Sequence, residues 1–480
     1  MKLPPIALKE KKFSRLFHTF FSSAYVEAQG RSSGFVQRKG QLSSFAFLSL
    51  CVFQSHSHRQ CSLEQGCEYL YDHFGIDIRK QSLDERFHAR AVDFMRKMLS
   101  HLIQESLPSA PKLKDLSFIE AIRITDASGF GLPQSCQEAY PGSGGSASSA
   151  QVKLYLDYDL LSGKIEGLSV HPSLQSDASY GQIKAPVQAG ELLIDDLGFY
   201  NLDYLKSIAE QEAYFLYRYK TQTSIYQKDE QGIYQRADPL ELVAQVQQIT
   251  SFEVAIGRGQ LECRLIIEPI PEREYQKRIR KLQKRAKKRG QTLSRERKTL
   301  ARYNLFITNT SAQVLPDKWI RILYSLRWQI ELIFKIFKSI FHIDKIQQMH
   351  QHRFECILYG KLIAILLSWN IFFLARQYAT KAIGETYIEL SEWKGFQLIK
   401  QKFEQLKKVI TQGPKTIWLT ICQMIQRLIK RAKKEKKNIP KAPTKTKKMT
   451  PFDILYQIQH DFEQNKIHNS LEMNLLQKLA

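Results

Sequence analysis

The sequence predicts an α/β protein in which a mixed sheet forms the centre, with helices leading into it and helices following it. Three observations carry this expectation. Between residues 118 and 194, short runs alternate apolar and polar side chains, the period of a strand. From 47 to 104, and again from 317 to 341, apolar residues recur at helical spacing. Three strands, a helix-length gap and a fourth strand are the order in which a mixed sheet with helices on its faces is built.

The first elements are helical. Ser62 is placed to cap a helix that runs through Cys67, Leu70 and Phe74, and Gly75 supplies the left-handed residue that ends it. A second helix is expected from Gln81 or Ser82 through Leu83, Phe87, Val92 and Met95, with Arg86, Arg90, Arg96 and Lys97 on its polar side. Two helices joined by a Gly-containing turn, the second one basic, fit a helix-turn-helix. A plain helical hairpin has the same pattern; the charge of the whole chain favours the DNA-binding version.

The strands come next. Phe118 to Thr125 alternates and delivers Asp126 at its end. A Gly- and Ser-rich loop from Pro141 to Ala150 leads to a strand from Gln151 to Leu160, which Leu160-Leu161-Ser162-Gly163 turns into a third, Lys164 to Val170. Glu191 to Ile194 is a short apolar strand that ends at Asp195 and Asp196. From Ala213 to about Ile270, Tyr-, Ile- and Leu-rich runs read as a β-rich insertion. A basic run, Lys277 to Arg302, follows and is densest from Lys284 to Arg289. A strand from Tyr303 to Thr308 precedes a helix from about Asp317 to Phe341, and further helices reach Lys430. The most apolar segment, Leu362 to Ala375, is short of the roughly 20 residues a membrane span needs and carries Ser368 and Asn370, so it reads as a buried helix. Lys430 to Lys448 alternates Lys with Pro and Thr and reads as a solvated tail.

Composition narrows the partner. The net charge of +24 over 480 residues concentrates polyanions, with nucleic acid ahead of anionic lipid. Seven cysteines, scattered from Cys51 to Cys422 without paired short spacing, argue against a zinc centre and for a reducing compartment. Met1 to Leu16 is basic and polar with no long apolar stretch after it, so no secretory signal is evident. The expectation is a soluble, cytoplasmic protein without a membrane partner.

The candidate chemistry lies in the 317–341 helix. Tyr324, Arg327, Glu331 and Lys338 are spaced by three, four and seven. At roughly 100° per residue they fall within about 60° of one another. The rest of that helix is Leu323, Leu326, Ile330, Ile333, Phe334 and Phe337. A carboxylate between two cations and a phenol suits a metal ion beside phosphates. Glu331 would ligate the ion, Arg327 would grip a phosphate with paired N–H groups, and Lys338 would act as a point charge. Asp126 and Asp196 each sit just past an apolar strand, at the sheet edge where ligands bind in open sheets. Three carboxylates suit Mg²⁺, and two such ions roughly 3.5–4 Å apart serve an in-line displacement at phosphorus. Asp195 stands as the alternative to Asp196. His350 and His352 read as surface residues.

Asp126 in Ile124-Thr125-Asp126-Ala127-Ser128, Asp196 in Asp196-Leu197-Gly198-Phe199 and the helix Tyr324-Ser325-Leu326-Arg327-Trp328-Gln329-Ile330-Glu331 together resemble the DDE transposases of bacterial insertion sequences. The pattern Tyr-x2-Arg-x3-Glu-x6-Lys is similar to that of the insertion-sequence-four family, and the Pro141–Ser146 loop with the strands after it resembles the same family's catalytic core. The similarity covers about Ala121 to Met349. It implies a ribonuclease-H-like catalytic core in two parts, residues 111–212 and 303–380, around a β-rich insertion, 213–302. A helical DNA-binding region, 1–110, would precede the core and a helical C-terminal region, 381–480, would follow it. It further implies cut-and-paste transposition on double-stranded DNA, with Asp126, Asp196 and Glu331 as catalytic metal ligands for Mg²⁺, Mn²⁺ being able to substitute. Tyr324, Arg327 and Lys338 would contact the transposon end, and a homodimer would assemble on the DNA, associated with the bacterial nucleoid. Members that form DNA hairpins use an aromatic residue of the insertion, often Trp; no Trp lies between Ala213 and Tyr303, which leaves the hairpin route open. Trp328 reads as a core residue. The alternatives are a nuclease of the same fold and an inactive or domesticated DNA binder.

Overall fold

A computed structural model of the chain describes residues 15–38, 40–54, 62–105, 119–143, 148–181, 184, 186–381, 390–410 and 412–433. The expected tail beyond residue 433 and part of the Gly/Ser loop lie outside the described residues. At the centre is one ten-stranded sheet, ordered β3-β2-β1-β4-β5-β10-β9-β8-β6-β7. Its strands are β1 (Ala121–Leu132), β2 (Ala150–Asp159), β3 (Ile165–Pro172), β4 (Glu191–Leu193), β5 (Tyr214–Arg218), β6 (Ile225–Lys228), β7 (Tyr234–Ala237), β8 (Thr250–Ile256), β9 (Leu261–Pro269) and β10 (Tyr303–Thr308). β1, β2 and β3 pair antiparallel, β4 lies parallel to β1, and β5 lies parallel to β4. β10 then pairs antiparallel with both β5 and β9, so the sheet runs unbroken through residue 213.

Period-two alternation makes the sheet two-faced. Ile122, Ile124, Leu192, Ile194, Leu216, Ile266 and Phe306 feed one core, and Leu193, Phe215, Tyr217, Leu265, Ile267 and Ile307 feed the other. The first core is closed by the helices Asp317–Ser325 and Gln329–Ser339 and by the N- and C-terminal helices. The second is covered by the helix Leu202–Glu210, through Tyr204, Leu205 and Ile208, and by the short helix Pro239–Ala244.

The Ser62 cap forms as expected: Ser62 and Gln65 make a reciprocal capping box, and Gly75 ends the helix Leu63–Phe74 at φ 63°. The expected second helix is divided. Lys80–Asp84 is one short helix and Ala89–Gln104 another. Phe87, in the break, turns inward onto Phe47, with ring centroids 5.2 Å apart, and that burial outweighs helical continuity. β1 also departs from expectation. It continues six residues beyond Asp126 because β2 pairs with it to Leu132↔Ala150, so Asp126 is mid-strand rather than at a strand end. The apolar segment around Leu362 is the middle of a longer helix, Gln351–Lys381. Its apolar stretch is long enough to cross a membrane, yet it is buried inside the fold against the helices Ala89–Gln104, Glu392–Val409 and Pro414–Arg431.

Candidate active site

β1 and β4 are in register from Ala121↔Glu191 to Arg123↔Leu193, and the Ile194 amide still donates to the Arg123 carbonyl. Three residues past the last pair on each strand stand Asp126 and Asp196. There β4 has ended and the chain turns away at Leu197–Phe199, while β1 runs on beside β2 alone. The divergence lies at the carboxyl end of β4, the position at which open sheets bind ligands.

Alternation separates the two neighbouring acids. Asp126 and Asp196 continue the rows Ile122-Ile124 and Leu192-Ile194, whose apolar members face the core under the 317–339 helices. Asp195 takes the opposite face, where it is fully buried, paired with Lys184 at 2.9 Å and hydrogen-bonded by the Tyr217 hydroxyl.

The expected long helix is two helices joined by a tight turn, Leu326–Trp328. The turn sends Leu326 inward and leaves Trp328 48% exposed, so Trp328 is not the core residue its sequence context suggested. Along the polar row the exposure is graded. Tyr324 is buried, its hydroxyl 3.5 Å from Asp196 Oδ1 and 3.4 Å from the Asp195 carbonyl. Its ring lies under the Arg218 guanidinium at 5.5 Å. Burial, and then the charge of Asp196, push the phenol up to about 12. Arg327 donates to Glu331 Oε1 at 2.9 Å and stands 3.6 Å from Asp126 Oδ2, so one guanidinium bridges two of the three acids. Glu331, 43% exposed, is the most open member of the row. Lys338 reaches across to β1 and donates to the Gly129 carbonyl at 2.9 Å.

Asp126 and Asp196 therefore share one face of the sheet, and one guanidinium links Asp126 to Glu331. Burial pushes the Asp126 carboxyl up to about 6, against the Ala127 amide and Arg327, which hold it down; the charges of Asp196 and Glu331 add to the rise. Carboxylate oxygens are the donors that hard divalent cations take. Among the described residues, no three acidic, histidine or cysteine side chains stand close enough together to form a finished cage. Glu331 is turned to Arg327 instead. His350 and His352 lie away from the acids; His350 is 41% exposed and pairs with Asp84 at 3.3 Å. The six described cysteines are unbridged.

What sequence reading missed is the layer behind the acids: Lys184, Thr125 and Asp157. Lys184 sits in an irregular stretch with no local signal. The sequence left Asp195 and Asp196 as alternatives because Leu192-Leu193-Ile194 before them is apolar on both faces; the pairing of β4 with β1 puts Asp196 on the face of Asp126. The basic run Lys277 to Arg302 spans two helices, Glu272–Lys288 and Arg295–Leu300, with Lys284, Arg285, Lys287 and Lys288 exposed and Ile279 buried in the first. The basic polar side of the N-terminal helices is partly used internally: Lys97 donates to the Ser32 carbonyl and Arg96 to the Tyr359 hydroxyl.

Comparison with known proteins places the chain in a family. Residues 118–367 match the family described as the transposase DDE domain. The transposase for insertion sequence element IS231E of Bacillus thuringiensis subsp. finitimus is 32% identical over 464 residues, covering 92% of this chain and 94% of that protein. The transposase for IS231D of the same organism is 30% identical, with 92% and 94% covered. The transposase for IS1151 of Clostridium perfringens is also 30% identical, with 93% and 96% covered. With half of its length in the matched domain and relatives aligned along nearly all of it, the chain belongs to the DDE-domain transposases of insertion sequences, enzymes of DNA transposition.

Proposed function

We propose that the chain excises its own insertion sequence and inserts it into target DNA, as a cut-and-paste transposase of the insertion-sequence-four type. The observation that carries this is the meeting of Asp126 and Asp196 on one sheet face with Arg327, which links Asp126 to Glu331. Asp126, Asp196 and Glu331 would hold Mg²⁺, or Mn²⁺ in its place, once Glu331 leaves Arg327. When bound, such ions polarise the attacking oxygen and stabilise the leaving one. The chemistry is an in-line displacement at phosphorus. Water forms the first new P–O bond as the strand's P–O bond breaks, and the freed 3′-hydroxyl then attacks a target phosphodiester in the same way.

The chain's own groups have separate tasks. Arg327, released by Glu331, grips a non-bridging phosphate oxygen with paired N–H groups. The Tyr324 hydroxyl holds Asp196, and Lys338 brings a positive charge to the distal half of β1, along the path of the transposon end. The exposed face of Glu272–Lys288 follows the DNA backbone, and the N-terminal helices contribute to end binding. A ribonuclease-H-like core is supported by the order β3-β2-β1-β4-β5, with β1 to β3 antiparallel and β4 and β5 parallel to β1. A homodimer on paired ends, acting in the bacterial cytoplasm on nucleoid DNA, completes the reading.

The test is cleavage of a duplex carrying the element's end. Asp126→Asn, Asp196→Asn and Glu331→Gln should each lower Mg²⁺-dependent cleavage by at least about a hundredfold, with end binding nearly intact, because a lost ligand costs more than a lost supporting residue. Normal cleavage by Asp196→Asn would overturn the assignment.

A further inference from the structure

Behind the acids, on the opposite face of the sheet, lies a fully enclosed ionic network. Lys184 Nζ donates to Asp195 Oδ2 and to Thr125 Oγ1, both at 2.9 Å. Thr125 Oγ1 donates to Asp157 Oδ1 at 2.6 Å. The Thr125 amide, next in line to continue the β1–β4 ladder, donates instead to Asp195 Oδ1 at 2.9 Å. The side chains of Lys184 and Asp195 are 1% and 0% exposed. Thr125 and Asp195 are the residues immediately before Asp126 and Asp196. We infer that Lys184, with Thr125 and Asp195, is a positioning group that sets the separation of Asp126 and Asp196, and so the affinity of the site for its divalent ions.

The physical case is one of tethering. Where backbone pairing between β1 and β4 stops, the end of β4 would be free to drift from β1. One ammonium bonded to a side chain of each strand, and one carboxylate accepting the next amide, replace the missing ladder bonds. A buried ion pair is worth little as net stability against an apolar equivalent, but its geometry is rigid, because leaving either charge unpaired in the interior is costly. Groups that orient metal ligands commonly change metal affinity by 10–100-fold.

The inference rests on the proposed metal-binding role of Asp126 and Asp196. The test is calorimetric titration of Mn²⁺ into the full-length chain bound to a duplex carrying the element's end. Wild type, Asp126→Asn, Lys184→Met, Thr125→Val and the charge-neutral pair Lys184→Met with Asp195→Asn are compared, with end affinity and melting temperature measured alongside. The expected result is tenfold or greater weakening of Mn²⁺ binding in Lys184→Met and Thr125→Val, with end affinity within about twofold. Lowered melting temperatures with unchanged Mn²⁺ binding would overturn the positioning role, as a purely structural network would give that outcome. Should Lys184→Met not fold, the neutral pair and Thr125→Val decide by the same readout. Wild-type Mn²⁺ binding by Asp126→Asn would overturn the site itself. Loss in Asp126→Asn with wild-type binding in the Lys184 and Thr125 variants would overturn the inference alone.

Discussion

At the scale of single residues, Asp126 carries a measurable signature. Its carboxyl, held at about 6 chiefly by burial, binds a proton more readily in the folded chain than in the unfolded one. Between roughly pH 4 and 6 the folded state therefore binds more protons, and stability of the metal-free protein falls as pH rises through that window. Thermal melts in chelator at pH 4.5 and 7 should show this fall in wild type and a smaller one in Asp126→Asn; equal falls would contradict it. A divalent ion competes with the same proton, so the metal concentration for half-maximal cleavage should rise as pH drops below about 6. Arg327→Lys keeps a charge but loses the fork that reaches Asp126 and Glu331 together, so cleavage should drop by tenfold or more.

At the scale of elements, the N-terminal helices show local rules both obeyed and overridden. The helix Leu63–Phe74 starts and stops where Ser62 and Gly75 dictate. Ser62→Ala should cost about 1 kcal/mol, and Gly75→Ala a similar amount through the left-handed backbone, both readable by denaturant unfolding. The helix after it breaks at residues 85–88 because Phe87 gains more from the core than the backbone loses. The 317–339 region is also divided, by a tight turn at Leu326–Trp328 in which Leu326 is buried, Trp328 is exposed and Arg327 stands between Asp126 and Glu331.

At the scale of the whole molecule, the helix Gln351–Lys381 ties the N-terminal helices to the C-terminal ones in one core. A Cβ at Gly360 would stand 2.1 Å from the Cys51 carbonyl oxygen, so Gly360→Ala forces the two elements apart. That overpacking should cost about 1–3 kcal/mol and lower the melting temperature. The net charge of +24 sets the long-range behaviour. End binding should weaken steeply with salt, with the slope of log K against log salt changing by about 0.9 for each phosphate neutralised. Replacing Lys284, Arg285, Lys287 and Lys288 by Ala should flatten that slope; an unchanged slope would remove this helix from the DNA path.

The character of the protein was legible in the order of its residues. Alternation marked β2 and β3 and short apolar runs marked β4 and β10 nearly to the residue, Ser62 and Gly75 marked a helix, and spacing put Tyr324, Arg327 and Glu331 on one side of a helical run. These signals are local, because backbone periodicity is fixed by neighbours in the chain. The length of β1 depended on β2 being there to pair with it. The burial of Tyr324 depended on β5 and β10 beneath it, and the ion pair of Lys184 with Asp195 joined an irregular segment to a strand end. Those outcomes emerged on folding, because a partner supplied from elsewhere in the chain leaves no period or spacing of its own to read.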